Sequence, residues 1–285
     1  MTGPSAAGST RCGPMTFEWG SRTYVMGIVN LTPDSFSGDG LAYDADAALE
    51  QALRFQTEGA DIIDVGGEST RPGHTPVDAD EEMRRVLPVV RLLASRLHVP
   101  ISVDTHKHEV AREAVAAGAS MINDVWGLKR DPALAELASR EGVPIVLMHN
   151  QSGTAYADLL PDVIASLRAS MDTALGAGVP PQNIILDPGV GFGKTAEHNL
   201  ELLRRLSELT SLGRPLLVGT SRKSTIGLVL DLPVEERLEG TAATVALAIA
   251  NGADVVRVHD VKEMARVARM SDAVVRGWTA PAGGP

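Results

Sequence analysis

The segment Asp64-Val65-Gly66-Gly67-Glu68-Ser69-Thr70-Arg71-Pro72-Gly73 comes directly after the apolar pair Ile62-Ile63. It reads as the exit of a buried strand. A plain strand-to-helix turn needs one glycine and a proline. Here two adjacent glycines let backbone approach a ligand closely. Ser69, Thr70 and Arg71 add donors suited to a phosphate. A long turn with solvated side chains would account for this segment in isolation. Recurrence decides the fold: an apolar run ending in polar residues, then an amphipathic stretch, repeats along the chain.

The strands expected from this rhythm are Tyr24–Asn30, Asp61–Gly66, Ile101–Thr105, Ser120–Val125, Ile145–His149, Asn183–Asp187, Pro215–Thr220 and Asp254–Asp260. Between them, helical spacing of apolar residues predicts helices. They cover Ala45–Glu58, Asp80–Leu97, Glu109–Ala117, Pro132–Arg140, Asp162–Gly176, Glu197–Leu209, Glu236–Asn251 and Lys262–Arg276. The tetrapeptides at 58–61, 117–120, 141–144 and 251–254 each place a glycine where a helix should stop before a strand. Strands alternating with helices pair in parallel through right-handed crossovers. Eight such units in 285 residues predict an α/β fold, a single (β/α)8 TIM barrel. An open doubly wound sheet is the structural rival. Its glycine-rich dinucleotide turn after the first strand is not what Asn30-Leu-Thr-Pro-Asp-Ser-Phe-Ser37 provides.

In such a barrel, function sits at the C-terminal ends of the strands. Those ends carry Asn30, Asp64 and Glu68, Asp104, Asn123 and Asp124, His149, Asp187, the run Ser221-Arg222-Lys223, and Arg257 with His259. Strand alternation sharpens the reading. Arg257 and His259 share one face of their strand, and Val256 and Val258 share the other. Ser102 and Asp104 point inward while Ile101 and Val103 meet helices. Asn30 shares a face with Met26 and Ile28. A buried arginine is costly without a partner, and a ligand anion is one natural partner for Arg257. Asp187-Pro-Gly-Val-Gly-Phe-Gly-Lys194 is either a flexible loop or one that lets Phe192 lie over a flat ligand. Helix starts disfavour cations, so Lys223 is better explained by a ligand than as a helix cap. No Walker loop, zinc-spaced cluster or nucleophile elbow is present.

Hydrophobic content of 44% and a charged fraction of 22% are ordinary for a soluble globular chain. No apolar run reaches the ~20 residues of a membrane span. A net charge of −10 argues against nonspecific nucleic-acid binding. The single cysteine, Cys12, excludes an intrachain disulfide and fits a reducing compartment; its setting argues against a structural role. Residues 1–14 are expected to be a disordered leader, with Met15 an alternative start. Residues 15–278 form the barrel domain, entered by a short N-terminal β-hairpin over Met15–Tyr24 that turns at Gly20. Residues 279–285 form a flexible tail. Lacking targeting signals, the chain is expected in the cytoplasm.

From Phe17 to Trp278 the chain resembles the dihydropteroate synthases. The motifs that carry the resemblance are Met26 to Ser37, Asp64 to Gly73, Ser102-Val-Asp-Thr105, Ile122-Asn-Asp-Val125, Leu147-Met-His149, Asp187 to Lys194, Ser221-Arg-Lys-Ser224 and Arg257-Val-His-Asp-Val261. The resemblance implies condensation of 6-hydroxymethyl-7,8-dihydropterin diphosphate with p-aminobenzoate in folate biosynthesis, competed by sulfonamides. It implies a pterin site of Asp104, Asn123, Asp187 and Lys223, walled by Met148 and Phe192. Thr70, Arg71, Arg257 and His259 would hold the diphosphate, with Asn30 linked to Mg²⁺. Phe36, Pro72 and Ser221 would form the p-aminobenzoate pocket. Asp34, Asp104, Lys223 and Arg257 would carry catalysis. The family is usually a homodimer built through barrel helices, and the alanine-rich stretch Thr241–Ala250 would allow close packing. Two loops depart from the family pattern, Gly38-Asp39-Gly40 and His149-Asn150-Gln151-Ser152. A pterin-dependent methyltransferase and a non-catalytic pterin-binding paralogue are the rivals. The methyltransferase would share Asp104, Asn123 and Asp187 without needing the Asp34-Ser35-Phe36, Ser69-Thr70-Arg71 and Ser221-Arg222-Lys223 loops together.

Overall fold

The computed structural model describes residues 8–32, 44–69 and 76–279. Strands β1 (Ser9–Cys12) and β2 (Met15–Glu18) pair antiparallel. Eight parallel strands follow: β3 (Tyr24–Asn30), β4 (Ile62–Gly66), β5 (Ile101–Asp104), β6 (Met121–Asp124), β7 (Ile145–Met148), β8 (Ile184–Asp187), β9 (Leu217–Val218) and β10 (Val255–Val258). The helices are α1 (Ala45–Glu58), α2 (Ala79–Ala94), α3 (His108–Ala116), α4 (Ala133–Glu141), α5 (Leu159–Gly176), α6 (Ala196–Arg204), α7 (Ser224–Leu230), α8 (Leu238–Ala250) and α9 (Val261–Val275). Strand order is β8-β7-β6-β5-β4-β3-β10-β9. Leu186 bridges to Leu216, and the Leu186 amide donates to the Pro215 carbonyl at 2.9 Å, which closes the barrel.

The core has two layers because strand residues alternate. The outer layer, between sheet and helices, contains Val29, Val65, Val103, Ile122, Leu147, Leu186, Val256 and Val258. The inner layer fills the N-terminal half of the barrel with Met26, Ile62, Met121, Val146, Ile185, Leu217 and Val255. Above that plug the inward positions turn polar, with Ser102, Asp104, Asn123 and Asp187, which places this group at the C-terminal rim. Local signals set the helix ends. Asp44 accepts from the Ala47 amide at 2.9 Å and Asp78 from Glu81 at 2.8 Å, both as N-caps. Gly59, at φ 106°, ends α1.

Three expectations need correction. Residues 9–14 are not leader: Ser9–Cys12 is the first strand of the hairpin, which turns at Gly13 (φ 52°) rather than at Gly20. The physical reason is alternation ahead of a Gly-Pro turn, with Thr10 and Cys12 buried and Ser9 and Arg11 exposed. Cys12 is accordingly structural. It packs with Phe17, Trp19 and Tyr24 under the barrel, and burial pushes its thiol up to about 12. Lastly, the seventh barrel strand shrinks to Leu217–Val218, and the helix expected over Glu197–Leu209 stops at Arg204, giving way to 3₁₀ turns over Leu206–Leu212. Residues 1–7 and 280–285 of the expected leader and tail lie outside the described residues. Among the described residues, no helix is long and apolar enough to cross a membrane.

Candidate active site

A cavity of about 590 Å³ opens at the C-terminal rim. Asn30, Asp104, Asn123, Met148, Asp187, Phe192, Ser221, Lys223, Arg257 and His259 all line it. These side chains come from seven of the eight barrel strands or the loops that follow them. Asp34, Phe36, Thr70, Arg71 and Pro72 lie outside the described residues.

At the floor, Arg257 donates through Nε to Asp64 Oδ2 and through Nη2 to Asp104 Oδ2, each at 2.7 Å. Asn123 Nδ2 donates to the same Asp64 oxygen at 3.2 Å. Arg257 thus has protein partners besides the ligand anion that the sequence offers as one natural partner. Two protein carboxylates hold it, and among the described residues only Nη1 is left without a protein partner. Burial works to lower the Arg257 pKa, but Asp64 and Asp104 outweigh burial and hold it above its ordinary value. Burial pushes Asp104 up to about 8, Arg257 pulling against it and Asp64 adding to the rise. Asp104 Oδ1 is buried and unpartnered among the described residues. It is therefore an acceptor suited to a ligand N–H.

Asp187 stands at the end of β8. Its Oδ1 accepts from the Gly189 amide at 2.7 Å, and burial raises its pKa against that bond and against Lys223 and Arg257. The Asn123 side-chain oxygen carries no protein partner among the described residues, because the amide nitrogen is the end committed to Asp64. Two acceptor-bearing side chains thus face the cavity close to Lys223, whose ammonium lies 4.2 Å from the centroid of the Phe192 ring. Lys223 precedes α7 with extended backbone and gives no side-chain cap. Arg222 before it takes a left-handed backbone, φ 57°. Its guanidinium grips Asp260 at 2.5 and 3.0 Å, and its carbonyl accepts from Arg237. That costly conformation lets Ser221 and Lys223 both face the cavity. Ser221 Oγ lies 3.0 Å from His259 Nδ1 and accepts from the His259 amide at 3.1 Å, joining the last two loops of the barrel.

Three parts of the site escaped sequence reading. Asp64 was visible as a strand-end acid, but its role as anchor of Arg257 was not. The signal was a fully buried carboxylate inside an otherwise apolar strand, which demands a cation. Lys107 bridges Glu68 and Glu82 beneath the Gly66-Gly67 exit. Lys194 closes the glycine loop onto His149. The His149 imidazole is driven down to about 3 by burial and by the charges of Lys194 and Lys129.

Asn30 is half-buried at the end of β3, and among the described residues no group of three histidine, cysteine or acidic side chains could hold a metal ion. A single amide oxygen fits only a mostly hydrated hard cation that draws its other ligands from water and substrate phosphate.

This geometry has close counterparts. Residues 26–259 match the model of the pterin binding enzyme family. The chain is 56% identical over 263 residues to dihydropteroate synthase of Bacillus subtilis, covering 92% of each chain. A crystal structure of dihydropteroate synthase from Clostridium difficile, in the presence of pteroic acid, superposes with a TM-score of 0.88 at 52% identity, covering 91% of this chain and 99% of that one. The Yersinia pestis dihydropteroate synthase, solved with a sulfonamide drug, gives 0.89 at 42% identity, covering 94% and 98%. The chain belongs to the dihydropteroate synthase family of pterin-binding enzymes.

Proposed function

We propose that this cavity condenses 6-hydroxymethyl-7,8-dihydropterin diphosphate with p-aminobenzoate, giving 7,8-dihydropteroate and pyrophosphate in folate biosynthesis. One observation carries the reading. A single cavity joins acceptors for a flat, donor-edged ring (Asp104, Asn123, Asp187) to a cationic and imidazole pair (Arg257, His259), with the Ser221–Lys223 loop between them.

Asp187 and the Asn123 oxygen accept from the amino-pyrimidinone edge, and Lys223 donates to the ring carbonyl. Met148 and Phe192 wall the ring. Asp104 Oδ1 accepts from a nitrogen of the reduced ring. Arg257 Nη1 and His259, with Thr70 and Arg71, bind the diphosphate. Charge on the leaving group is the main demand, because p-aminobenzoate is a weak nucleophile. The reaction breaks the methylene C–O bond, forms a C–N bond and releases one aniline proton. We favour departure of the diphosphate first, which leaves a methylene cation delocalised into the ring. Asp34 and Asp104 stabilise that cation, while Phe36, Pro72 and Ser221 hold p-aminobenzoate. Asn30 would hold Mg²⁺, which supplies neutralisation of diphosphate charge when bound. On this reading the enzyme transfers an alkyl group other than methyl, works in the cytoplasm, forms a homodimer and is open to competition by sulfonamides.

The test is pyrophosphate release by the purified protein with Mg²⁺ and the dihydropterin diphosphate, with and without p-aminobenzoate, with the pteroate product identified by mass spectrometry. Matched release and pteroate formation support the reading. Pterin binding without product, where a control synthase works, assigns a non-catalytic pterin-binding protein instead.

A further inference from the structure

The loop Gly189–Gly193 passes close to the exit of β7. A Cβ on Gly189 would fall 1.9 Å from the His149 carbonyl oxygen, and one on Gly193 would fall 2.6 Å from that of Gln151. One buried side chain gathers this loop. Lys194 Nζ lies 3.0 Å from the Gly189 carbonyl, 3.1 Å from the Phe192 carbonyl and 2.8 Å from His149 Nδ1. An ammonium has three N–H donors and no acceptor, so these three partners saturate it. Two of them bracket the loop, and the third belongs to the neighbouring strand end. Because Lys194 donates, His149 Nδ1 must accept, and the imidazole proton sits on Nε2.

We propose that Lys194 is a positioning residue of the pterin site, a clamp that draws the Gly189–Gly193 loop onto His149 and so sets the Phe192 ring over the ligand plane. The inference rests on the pterin-binding reading above. Three other backbone groups of the loop bond outward, the Gly189 amide to Asp187, the Gly191 amide to Asn199 and the Gly193 carbonyl to the Tyr156 hydroxyl, while the Phe192 amide turns back onto the Gly189 carbonyl. Among the described residues, only Lys194 reaches the Phe192 carbonyl from outside the loop. Gly191 in turn lies against the Lys223 stem, where a Cβ would fall 3.0 Å from Lys223 Cδ. Displacement of the loop therefore reaches Phe192 and Lys223 together.

The clamp has a pH signature. Burial brings the ammonium down to about 7, with Lys223 and Lys129 adding to the fall and Asp187 opposing it. Among the described residues, His149 and Tyr156 also face this corner, with the His198 ring packed edge-on against Tyr156. Loss of the proton removes one of the three donors, so the clamp loosens above pH 7.

Lys194→Met and Lys194→Gln would be titrated calorimetrically with 6-hydroxymethylpterin and compared in steady-state turnover. The clamp predicts that Met weakens pterin binding by about tenfold or more. KM for the pterin diphosphate rises in step, KM for p-aminobenzoate stays within roughly twofold, and Gln falls between. Amide exchange over 189–193 should accelerate by about tenfold, with β5 unaffected. In the wild type that exchange, corrected for its intrinsic rate, should rise above pH 7; in Lys194→Met it should not. Should Lys194→Met fail to fold, Lys194→Gln and His149→Asn decide by the same measures. A folded variant with wild-type pterin affinity overturns the clamp, as does an equal rise in both KM values. Wild-type protein that binds pterin yet makes no pteroate overturns the proposed reaction and leaves the clamp standing.

Discussion

At the residue scale the site is governed by Arg257. Its guanidinium is shared between Asp64 and Asp104, two carboxylates buried side by side. Removing one partner of a buried ion pair leaves uncompensated charge and typically costs about 3–5 kcal/mol. Arg257→Ala should therefore do two things at once. On the proposed reading Nη1 meets the leaving diphosphate, so turnover should fall to near background. The urea midpoint should also drop by an amount equivalent to several kcal/mol, read by circular dichroism. Arg257→Lys should recover part of the stability and little of the activity, because one ammonium cannot reproduce the planar fork. Unchanged stability in Arg257→Ala would mean that the two acids are satisfied without it.

Asp104 adds a pH dependence of defined sign. Burial raises its pKa from the ordinary 3.8, and the adjacent Arg257 pulls against that rise. Between the ordinary and the raised value the native state binds more proton than the unfolded chain does. Stability from this group is thus present below pH 4 and is lost as pH rises toward 8. His149 titrates in the opposite sense at lower pH, so the difference between wild type and variant isolates Asp104. Asp104→Asn should gain stability relative to wild type between pH 5 and pH 8, measured by urea denaturation at both. A constant difference would refute the assignment. Much of this was legible beforehand. Period-two alternation put Arg257 and His259 on one inward face, and Ser102 and Asp104 on another. The pairing of Arg257 with Asp64 was not legible, because those residues are 193 positions apart and nothing local sets which strand ends meet.

At the scale of elements, the βα rhythm located every barrel strand and most helix ends to within a few residues. The failures have a common cause. The hairpin and β9 are short, and short elements are decided by what they pack on rather than by their own pattern. Glycines behave similarly, since a sequence shows them without showing what surrounds them. Gly189 and Gly213 both have positive φ, 71° and 65°. A Cβ at Gly213 meets nothing within 4 Å, whereas at Gly189 it meets the His149 carbonyl. Gly213→Ala should cost only the ~1–2 kcal/mol of left-handed backbone strain and leave catalysis intact. Gly189→Ala must push the loop off β7. It should raise KM for the pterin substrate by about tenfold or more, with a larger loss in melting temperature. Equal behaviour of the two variants would show that the loop is free to shift.

For the whole molecule, a closed barrel hides its sheet edges, so assembly must use helices. The alanine-rich run in α8 suggested close helix packing from sequence alone, but sequence does not show which neighbours share a face. In the folded chain α7 packs against α8, and α8 against α9. Among the described residues, these three helices carry most of the large apolar side chains that remain exposed: Leu228, Val229 and Leu230 on α7, Leu247 on α8, and Met270, Val274 and Val275 on α9. Leu228 is 72% exposed and Val274 73%, on the two helices that flank α8. The proposed homodimer would cover this face, and a stable interface needs about 800 Å² from each partner. Placing like charges there opposes association twice, by removing apolar burial and by repulsion across the two-fold axis. Leu247→Glu combined with Val274→Glu should give a monomer in sedimentation at micromolar concentration, where the wild type sediments as a dimer. Both sites lie away from the residues lining the cavity. The monomeric variant should therefore retain pterin binding, and any fall in turnover would measure how far the Ser221–Lys223 loop, which leads into α7, depends on the partner. A wild type that sediments as a monomer would remove the dimer and leave the site unaffected.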